Sequence, residues 1–255
     1  MNYKITVTNQ KGGTGKTTTA LNMGAGLAQR GYNVLLIDLD PQGSLTLSAG
    51  INPLELKYTT YELLKGECKA QDTLQSPKTG NYKIIPADIR LSVAELELAG
   101  IAGREQLLSE ALEPIASDYD FIFIDTSPSL GVLTLNALAF ADEVIIPLQA
   151  EPLALAGMAS LLQTVKTVDK RINPNIEITG IVITRYSSRK KLNSYIINKL
   201  NDMFTDKLYD TKIRDNISLA EATQSGTDIF TYDKKSNGAQ DYTRLIEEFL
   251  HRRAL

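Results

Sequence analysis

Tyr3-Lys4-Ile5-Thr6-Val7-Thr8-Asn9-Gln10-Lys11-Gly12-Gly13-Thr14-Gly15-Lys16-Thr17-Thr18-Thr19-Ala20 is the stretch that decides the fold class. Tyr3–Thr8 is rich in β-branched residues and reads as a strand. Gly12, Gly13 and Gly15 follow, and a helix is expected over Lys16–Arg30, closed by Gly31. A strand that turns through glycines straight into a helix lets successive backbone N–H groups converge on phosphate oxygens, helped by the helix dipole. Lys11, Gly12, Gly13, Thr14, Gly15, Lys16, Thr17 and Thr18 therefore form a candidate loop for ATP–Mg²⁺. Lys16 would neutralise the β- and γ-phosphates, and the Thr17 hydroxyl would be a Mg²⁺ ligand. A standard loop of this kind opens on a glycine where this chain has Gln10. Lys11 stands beside it as an extra cation. Its stem is long enough to reach a phosphate in its own subunit or in a facing one.

Outward from this loop, apolar β-rich runs alternate with helical patterns. Strands are expected at Asn33–Asp38, Tyr82–Pro86, Phe121–Asp125, Glu143–Pro147 and Ile176–Thr184, with a shorter one near Lys207–Ile213. Helices are expected at Glu105–Ser117, Gly131–Ala139, Leu153–Arg171, Lys190–Phe204, Leu219–Gln224 and Ala239–Arg252. Strands such as Val34-Leu35-Leu36-Ile37, apolar on both faces, belong inside a parallel sheet covered by helices. The alternation predicts an α/β fold: a single doubly wound, mostly parallel sheet flanked by helices, in one domain over residues 1–255. Ile51–Gly80 is the least regular region and reads as a short helix and loops.

Two groups of carboxylates complete the pattern. Asp38-Leu39-Asp40-Pro41-Gln42-Gly43 follows the second strand, at the sheet edge where a nucleotide would sit. One of Asp38 and Asp40 could hold Mg²⁺ through water and the other could orient an attacking water, although Asp-Pro and Gln-Gly also suit a capped turn. Phe121-Ile122-Phe123-Ile124-Asp125 is an apolar strand that ends in Asp. It matches a Walker B strand, whose aspartate contacts Mg²⁺. The metal candidates are thus Thr17, Asp38 and Asp125.

Composition removes several function classes. Of 255 residues, 43 % are hydrophobic, enough for a sizeable core, and the formal net charge is −3, so nucleic-acid binding needs a local patch. Cys68 is the only cysteine, which rules out an intrachain disulfide framework and an intrachain cysteine-ligated zinc or iron–sulfur centre. The N-terminus runs directly into a strand rather than a signal peptide, and no run of about 18 apolar residues suggests a membrane span. A cytoplasmic protein is expected.

Taken together, these motifs resemble the ParA/Soj-type ATPases, in the deviant-Walker group that also contains MinD. The resemblance covers nearly the whole chain. It runs from Thr8–Thr19 through Leu36-Ile37-Asp38-Leu39-Asp40-Pro41-Gln42-Gly43 to Asp125-Thr126-Ser127-Pro128-Ser129-Leu130-Gly131, and Ile146–Glu151 looks like the family's next strand and loop. It implies an ATP-driven sandwich homodimer in which Lys11 of each subunit reaches the other's phosphates. Lys11, Lys16 and Asp40 would then be catalytic, with Asp40 positioning the hydrolytic water. Glu151 would reach ribose, and Arg214 with Ile213 would contact adenine. The resemblance further implies that the ATP dimer binds double-stranded DNA without sequence preference and associates with the nucleoid. A ParB-like partner would stimulate hydrolysis and release the dimer, in the service of partitioning plasmid or chromosome cargo.

The chain has a local basic segment to match. From Arg185 to Arg214 there are eight basic and three acidic residues, a local charge of +5. Arg185, Arg189, Lys190 and Lys191 are the DNA-binding candidates, the last three at the start of an expected helix. Relatives often carry a further arginine where Ser218 stands, and many read Pro-Pro-Ser where this chain has Ser127-Pro128-Ser129.

Other readings are weaker. A MinD-like membrane ATPase would use its C-terminal helix as a lipid anchor. Leu245, Ile246, Phe249 and Leu250 do form an apolar stripe, but Glu247 and Glu248 oppose lipid, so membrane association is not expected. A nitrogenase iron-protein type needs more than Cys68 to hold its cluster. A biosynthetic ligase needs a substrate pocket that no motif marks. A non-catalytic scaffold is unexpected with Lys16, Thr17, Asp40 and Asp125 all present.

Overall fold

The computed structural model describes residues 2–151, 154–189, 191–204 and 206–255; the side chains of residues 154–156, 191, 192 and 194 lie outside the description. In chain order the elements are β1 (Tyr3–Val7), α1 (Lys16–Ala28), β2 (Val34–Leu39), α2 (Ser44–Ser48), α3 (Thr60–Leu64), α4 (Ala70–Thr73), β3 (Lys83–Ile85), α5 (Leu91–Glu97) and α6 (Leu107–Ala116). They continue with β4 (Phe121–Thr126), α7 (Val132–Phe140), β5 (Glu143–Gln149), α8 (Ala154–Arg171), β6 (Glu177–Thr184), α9 (Lys191–Met203), α10 (Ile217–Gln224), α11 (Ile229–Asp233) and α12 (Asn237–His251).

The six strands form one sheet in the order β3-β2-β4-β1-β5-β6, and every neighbouring pair is parallel. From β1 the chain winds to one side through β2 and β3, returns through β4 beside β1, and then winds to the other side through β5 and β6. The reversal leaves a crevice at the carboxyl ends of the central strands, the place where such sheets bind ligands.

Two-residue alternation explains why the strands are apolar throughout. Val34 and Leu36 of β2, with Phe121 and Phe123 of β4, pack under α1 and α12. Leu35 and Ile37, with Ile122 and Ile124, face the other way into the layer containing Leu91, Leu108, Leu112 and Ala137. A third cluster joins Val144, Ile146 and Leu148 of β5 to Leu161, Val165 and Val168 of α8.

The short strand expected near Lys207–Ile213 does not form as a continuous element. The segment lies along β6 in parallel but touches it intermittently: Ile181 N donates to Lys207 O (2.7 Å), Tyr209 N to Ile181 O (2.9 Å) and Ile213 N to Ile183 O (2.8 Å). Between these contacts the backbone of Asp210 and Thr211 turns to Glu248 of α12 instead. Competition from a tertiary acceptor thus interrupts the ladder. The helices α2, α5 and α11 fall where none was expected; at five, seven and five residues they are too short to display a helical period. Among the described residues no helix is long and apolar enough to cross a membrane.

Candidate functional site

The glycine loop is shaped by two positive backbone angles. Gly13 has φ +72° and Gly15 φ +86°, a left-handed region that L side chains rarely adopt. Side chains from strand ends hold the loop's carbonyls. Gln149, which ends β5, donates through Nε2 to Gly13 O (2.5 Å), and Thr184, which ends β6, donates through Oγ1 to Thr14 O (2.7 Å). Thr14 Oγ1 donates to Lys11 O at 3.3 Å. At the loop's start, Asn9 Nδ2 donates to Pro147 O (2.7 Å) while its Oδ1 accepts from Lys11 N (3.0 Å). With its carbonyls held in this way, the loop has its N–H groups to offer an anion at the start of α1.

Lys16 opens α1 and is 7 % exposed. Burial pushes its ammonium below the usual lysine range, against the opposing charges of Asp125 and Asp40. Its Nζ lies 3.5 Å from Lys11 O. Thr17 Oγ1 donates to Asp125 Oδ2 at 2.6 Å. The Asp125 carboxyl is fully buried, and its other oxygen, Oδ1, has no hydrogen-bond partner. Burial and the neighbouring Asp38 charge push Asp125 well above the usual carboxylate range, although the Thr17 hydrogen bond and Lys16 pull it down. A buried, orphaned carboxylate oxygen beside a threonine hydroxyl is the partial donor set that Mg²⁺ would complete with phosphate oxygens and water. Among the described residues no group of three or more His, Cys, Asp or Glu could hold a metal unaided.

Asp38 sits differently from the other metal candidates. It pairs in register with Asp125 across β2 and β4 and is likewise fully buried. Burial pushes its carboxyl up to about 6 in spite of its hydrogen bonds. Oδ2 accepts from Thr46 N (2.8 Å) and Thr46 Oγ1 (2.7 Å), and Oδ1 accepts from Asp40 N (3.1 Å). Both oxygens are therefore engaged in holding the turn that carries Asp40. Asp40 faces a cavity of about 470 Å³ shared with Gly12, Lys16, Thr17, Leu47 and Pro128. A second cleft of about 680 Å³ opens on the other side of the loop, between Thr18, Ile213–Ile217 and Tyr242.

The remaining expected residues are distributed as follows. Lys11 Nζ is paired with the Glu151 carboxylate of the same chain, and Glu151 is not on the 680 Å³ cleft. Arg214 does line the cleft, but its guanidinium is committed to Asp241 through Nε (2.9 Å) and Nη2 (2.7 Å). Arg185 has a left-handed backbone (φ +49°) and lies 3.5 Å from Asp215. Lys207 pairs with Glu177 (2.9 Å), and Lys212 Nζ donates to Asp210 O (3.3 Å). Arg185, Lys207, Lys212 and Arg214 therefore have intrachain polar partners. Arg189 is exposed, as is Lys199, which stands 5.1 Å from the Tyr195 ring. Lys190 and the side chain of Lys191 lie outside the described residues.

Sequence reasoning missed Gln149, Thr184 and Thr46 as supports of the site, Tyr242 as a wall of the cleft and Asp241 as the partner that holds Arg214 there. The first two carry a readable signal, a polar side chain where an apolar strand reaches the edge that holds the glycine loop. Asp241 and Tyr242 carry none, because their partners Arg214 and Thr19 are remote in sequence.

Comparison with known proteins places these features in context. A family profile described as an AAA domain matches residues 2–178. The chain is 43 % identical over 252 residues to the chromosome-partitioning ATPase Soj of Treponema pallidum, covering 99 % of this chain and 98 % of that protein. It is 41 % identical over 250 residues to the chromosome partitioning protein ParA of Caulobacter vibrioides, covering 97 % and 94 %. Among solved structures it resembles one described as cobyrinic acid a,c-diamide synthase from Mycobacterium smegmatis with bound ADP and magnesium. That match has a TM-score of 0.87 and 36 % identity, and covers 99 % of this chain and 96 % of that one.

Proposed function

The chain belongs to the ParA/Soj family of ATPases, and on that basis we propose that it is a Mg²⁺-dependent DNA-partitioning ATPase whose ATP-bound dimer holds nonspecific duplex DNA. The observation that carries this reading is the assembly of Lys16, Thr17 and Asp40 around one cavity beside a glycine loop, with Asp125 buried behind it and accepting from Thr17. Lys16 neutralises the β- and γ-phosphates, the loop N–H groups cradle them, and Asp40 orients the attacking water. Thr17, supported by Asp125, would hold Mg²⁺, which when bound would supply neutralisation of the charge that develops on the phosphates. Lys11 reaches the phosphates of the facing subunit in the dimer, exchanging Glu151 for a phosphate. The pair it leaves has both side chains more than a third exposed, so releasing it costs little.

Dimerisation brings together two copies of the Arg185–Lys191 segment, and the doubled basic surface meets the DNA backbone. A ParB-like partner stimulates hydrolysis and releases the dimer, and the cycle runs in the cytoplasm on the nucleoid. Membrane attachment through α12 is opposed by packing. Leu245, Ile246 and Phe249 are buried, Arg252 donates to Leu208 O (2.7 Å), and Arg253 pairs with Glu143.

The deciding measurement is binding to nonspecific duplex DNA with ATP, with ADP and without nucleotide. Binding should appear only with ATP. It should vanish in Lys16→Ala, which loses nucleotide, and in Lys11→Ala, which binds nucleotide but stays monomeric by light scattering. It should persist longest in Asp40→Ala. Equal DNA binding with ATP and ADP, or a dimeric Lys11→Ala, would overturn the proposal. ATP turnover that requires an organic acid and an amino donor, with no response to DNA, would instead point to a biosynthetic amide synthase.

A further inference from the structure

A further cavity, of about 420 Å³, is lined by Tyr186, Asp210, Lys212, Arg214, Asp241 and Arg244. It shares Arg214 with the 680 Å³ cleft and no residue with the phosphate cavity. Local structure brings its cations together. The segment before the cleft is extended where it meets β6, so Lys212 and Arg214 fall on one side while Ile213, between them, is buried. On α12, Asp241 and Arg244 are three residues apart and share a face. The loop that runs on from β6 is sewn to the same segment, because Tyr186 N donates to Ile213 O (2.9 Å) and Asp215 N to Tyr186 O (3.1 Å). The cavity thus adjoins the loop that carries the exposed Arg189.

Charge decides what this cavity can hold. Asp241 is 0 % exposed, and its carboxylate accepts from Arg214 Nε (2.9 Å) and Nη2 (2.7 Å) and from Arg244 Nη2. One buried carboxylate thus orients two guanidinium groups. No hydrogen bond among the described residues uses Arg214 Nη1, Arg244 Nε or Arg244 Nη1. Lys212 Nζ donates to a neutral carbonyl, Asp210 O (3.3 Å), and lies 5.8 Å from the centre of the Tyr186 ring. Asp210 itself is exposed. Three cations therefore face two carboxylates, and the one positive charge left over matches the single negative charge of a phosphodiester. Ion pairs elsewhere in the basic segment leave no such surplus: Lys207 pairs with Glu177 and Arg185 lies beside Asp215, one cation to one carboxylate each. Guanidinium groups fixed in place with N–H groups to spare also match the fork of two phosphate oxygens.

We infer that Lys212, Arg214 and Arg244 form a phosphate-binding site outside the nucleotide cavity, with Asp241 as the residue that orients the two guanidiniums, and that a backbone phosphate of duplex DNA fills it. The site is set by geometry and charge, whereas the source of its phosphate rests on the proposed DNA binding. An open cavity beside Arg189 suits a phosphate carried on a polymer, which meets several basic groups at once. Arg244, 57 % exposed at its side chain, is the cation most accessible to it.

The experiment is modification of arginines by phenylglyoxal, read by peptide mass spectrometry, on the whole chain saturated with a nonhydrolysable ATP analogue and Mg²⁺. Nonspecific duplex DNA is added in one arm and inorganic pyrophosphate in the other; bound nucleotide keeps pyrophosphate out of the phosphate cavity. Duplex should slow the modification of Arg244 together with that of Arg189. Arg244→Ala and Lys212→Ala should each weaken ATP-dependent DNA binding about tenfold and lower its salt slope by about one unit per subunit. Lys207→Ala, which removes a cation already matched by Glu177, should leave the slope unchanged. Arg244→Ala keeps Asp241 paired with Arg214, so its melting temperature and nucleotide affinity should match wild type, which separates loss of a contact from loss of structure. Protection of Arg189 by duplex without protection of Arg244, or an unchanged slope in both Arg244→Ala and Lys212→Ala, would overturn the inference while leaving the proposed DNA binding intact. Absence of any duplex binding overturns that DNA binding instead. Protection of Arg244 by pyrophosphate then upholds the phosphate site with a free anion as its occupant, and no protection overturns the site as well.

Discussion

Asp125 shows how much one residue can hold in tension. Its carboxyl is buried beside a second buried carboxyl, Asp38, with one oxygen orphaned, so the ionised form is costly in the nucleotide-free protein. Because its folded-state pKa is raised, it disfavours the fold increasingly as pH rises above the ordinary aspartate value, and at neutral pH it is a liability. Asp125→Asn should therefore stabilise the nucleotide-free protein by about 1–2 kcal/mol. It should also abolish the extra thermal stabilisation that Mg²⁺ adds to ATP. Melting temperatures with and without Mg²⁺ test both parts, and a variant less stable than wild type without nucleotide would contradict the account. That a carboxylate would stand at the end of this strand was legible from an apolar run ending in Asp. That one oxygen would be orphaned while Asp38 had both oxygens occupied was not, because it depends on β2–β4 register and on Thr46 reaching back from α2.

At the scale of elements, contacts of α12 and of α10 stabilise the site region. Glu248 of α12 accepts from Asp210 N and Thr211 N, both at 2.9 Å, which pins the segment that leads to the cleft wall. Burial raises its pKa, but those N–H groups, the Thr211 side chain and Arg252 together outweigh burial and hold it below the ordinary glutamate range. Stability from this group is present above its unfolded value near 4.5 and is lost as pH falls through its lower folded value. Glu248→Gln should cost about 1 kcal/mol near pH 7, and the deficit should shrink toward zero in acid; a melting series from pH 7 to 3 measures it. A deficit that grows in acid would refute the assignment. A second contact joins the loop after α2 to the loop after α10. Gly50 has φ +73°, and a Cβ there would sit 2.6 Å from Gly226 O. Gly50→Ala should destabilise by about 1–3 kcal/mol, measurable by urea denaturation. The apolar stripe of α12 could be read from its spacing, but the acceptors its polar positions find on a distant segment could not.

At the scale of the whole molecule, charge and packing set what the protein can touch. Arg189 is exposed, whereas Arg185, Lys207, Lys212 and Arg214 have intrachain partners. Arg189→Ala should weaken ATP-dependent DNA binding and reduce its salt slope by about one unit per subunit, with basal ATPase activity kept. A salt titration of DNA affinity measures this, and an unchanged slope would remove Arg189 from the interface. Deleting Phe249–Leu255 should unfold the chain rather than release a membrane tether, because Phe249 is buried against Phe121 and Arg253 stacks on its ring while pairing with Glu143. Circular dichroism and liposome co-sedimentation separate the two outcomes. By itself the sequence determined the parallel α/β class, the glycine loop with Lys16 and Thr17, and the Asp125 strand end, because each depends on local periodicity or on residues adjacent in the chain. Only the tertiary structure decided that Lys11 rests on Glu151, that Arg185, Lys207, Lys212 and Arg214 have intrachain partners, and that Asp241 holds Arg214. Those outcomes depend on which remote groups the sheet and α12 bring within hydrogen-bonding distance. The same holds for Lys11, the residue that marks this glycine loop as unusual: its position could be read from the chain, its partner only from the fold.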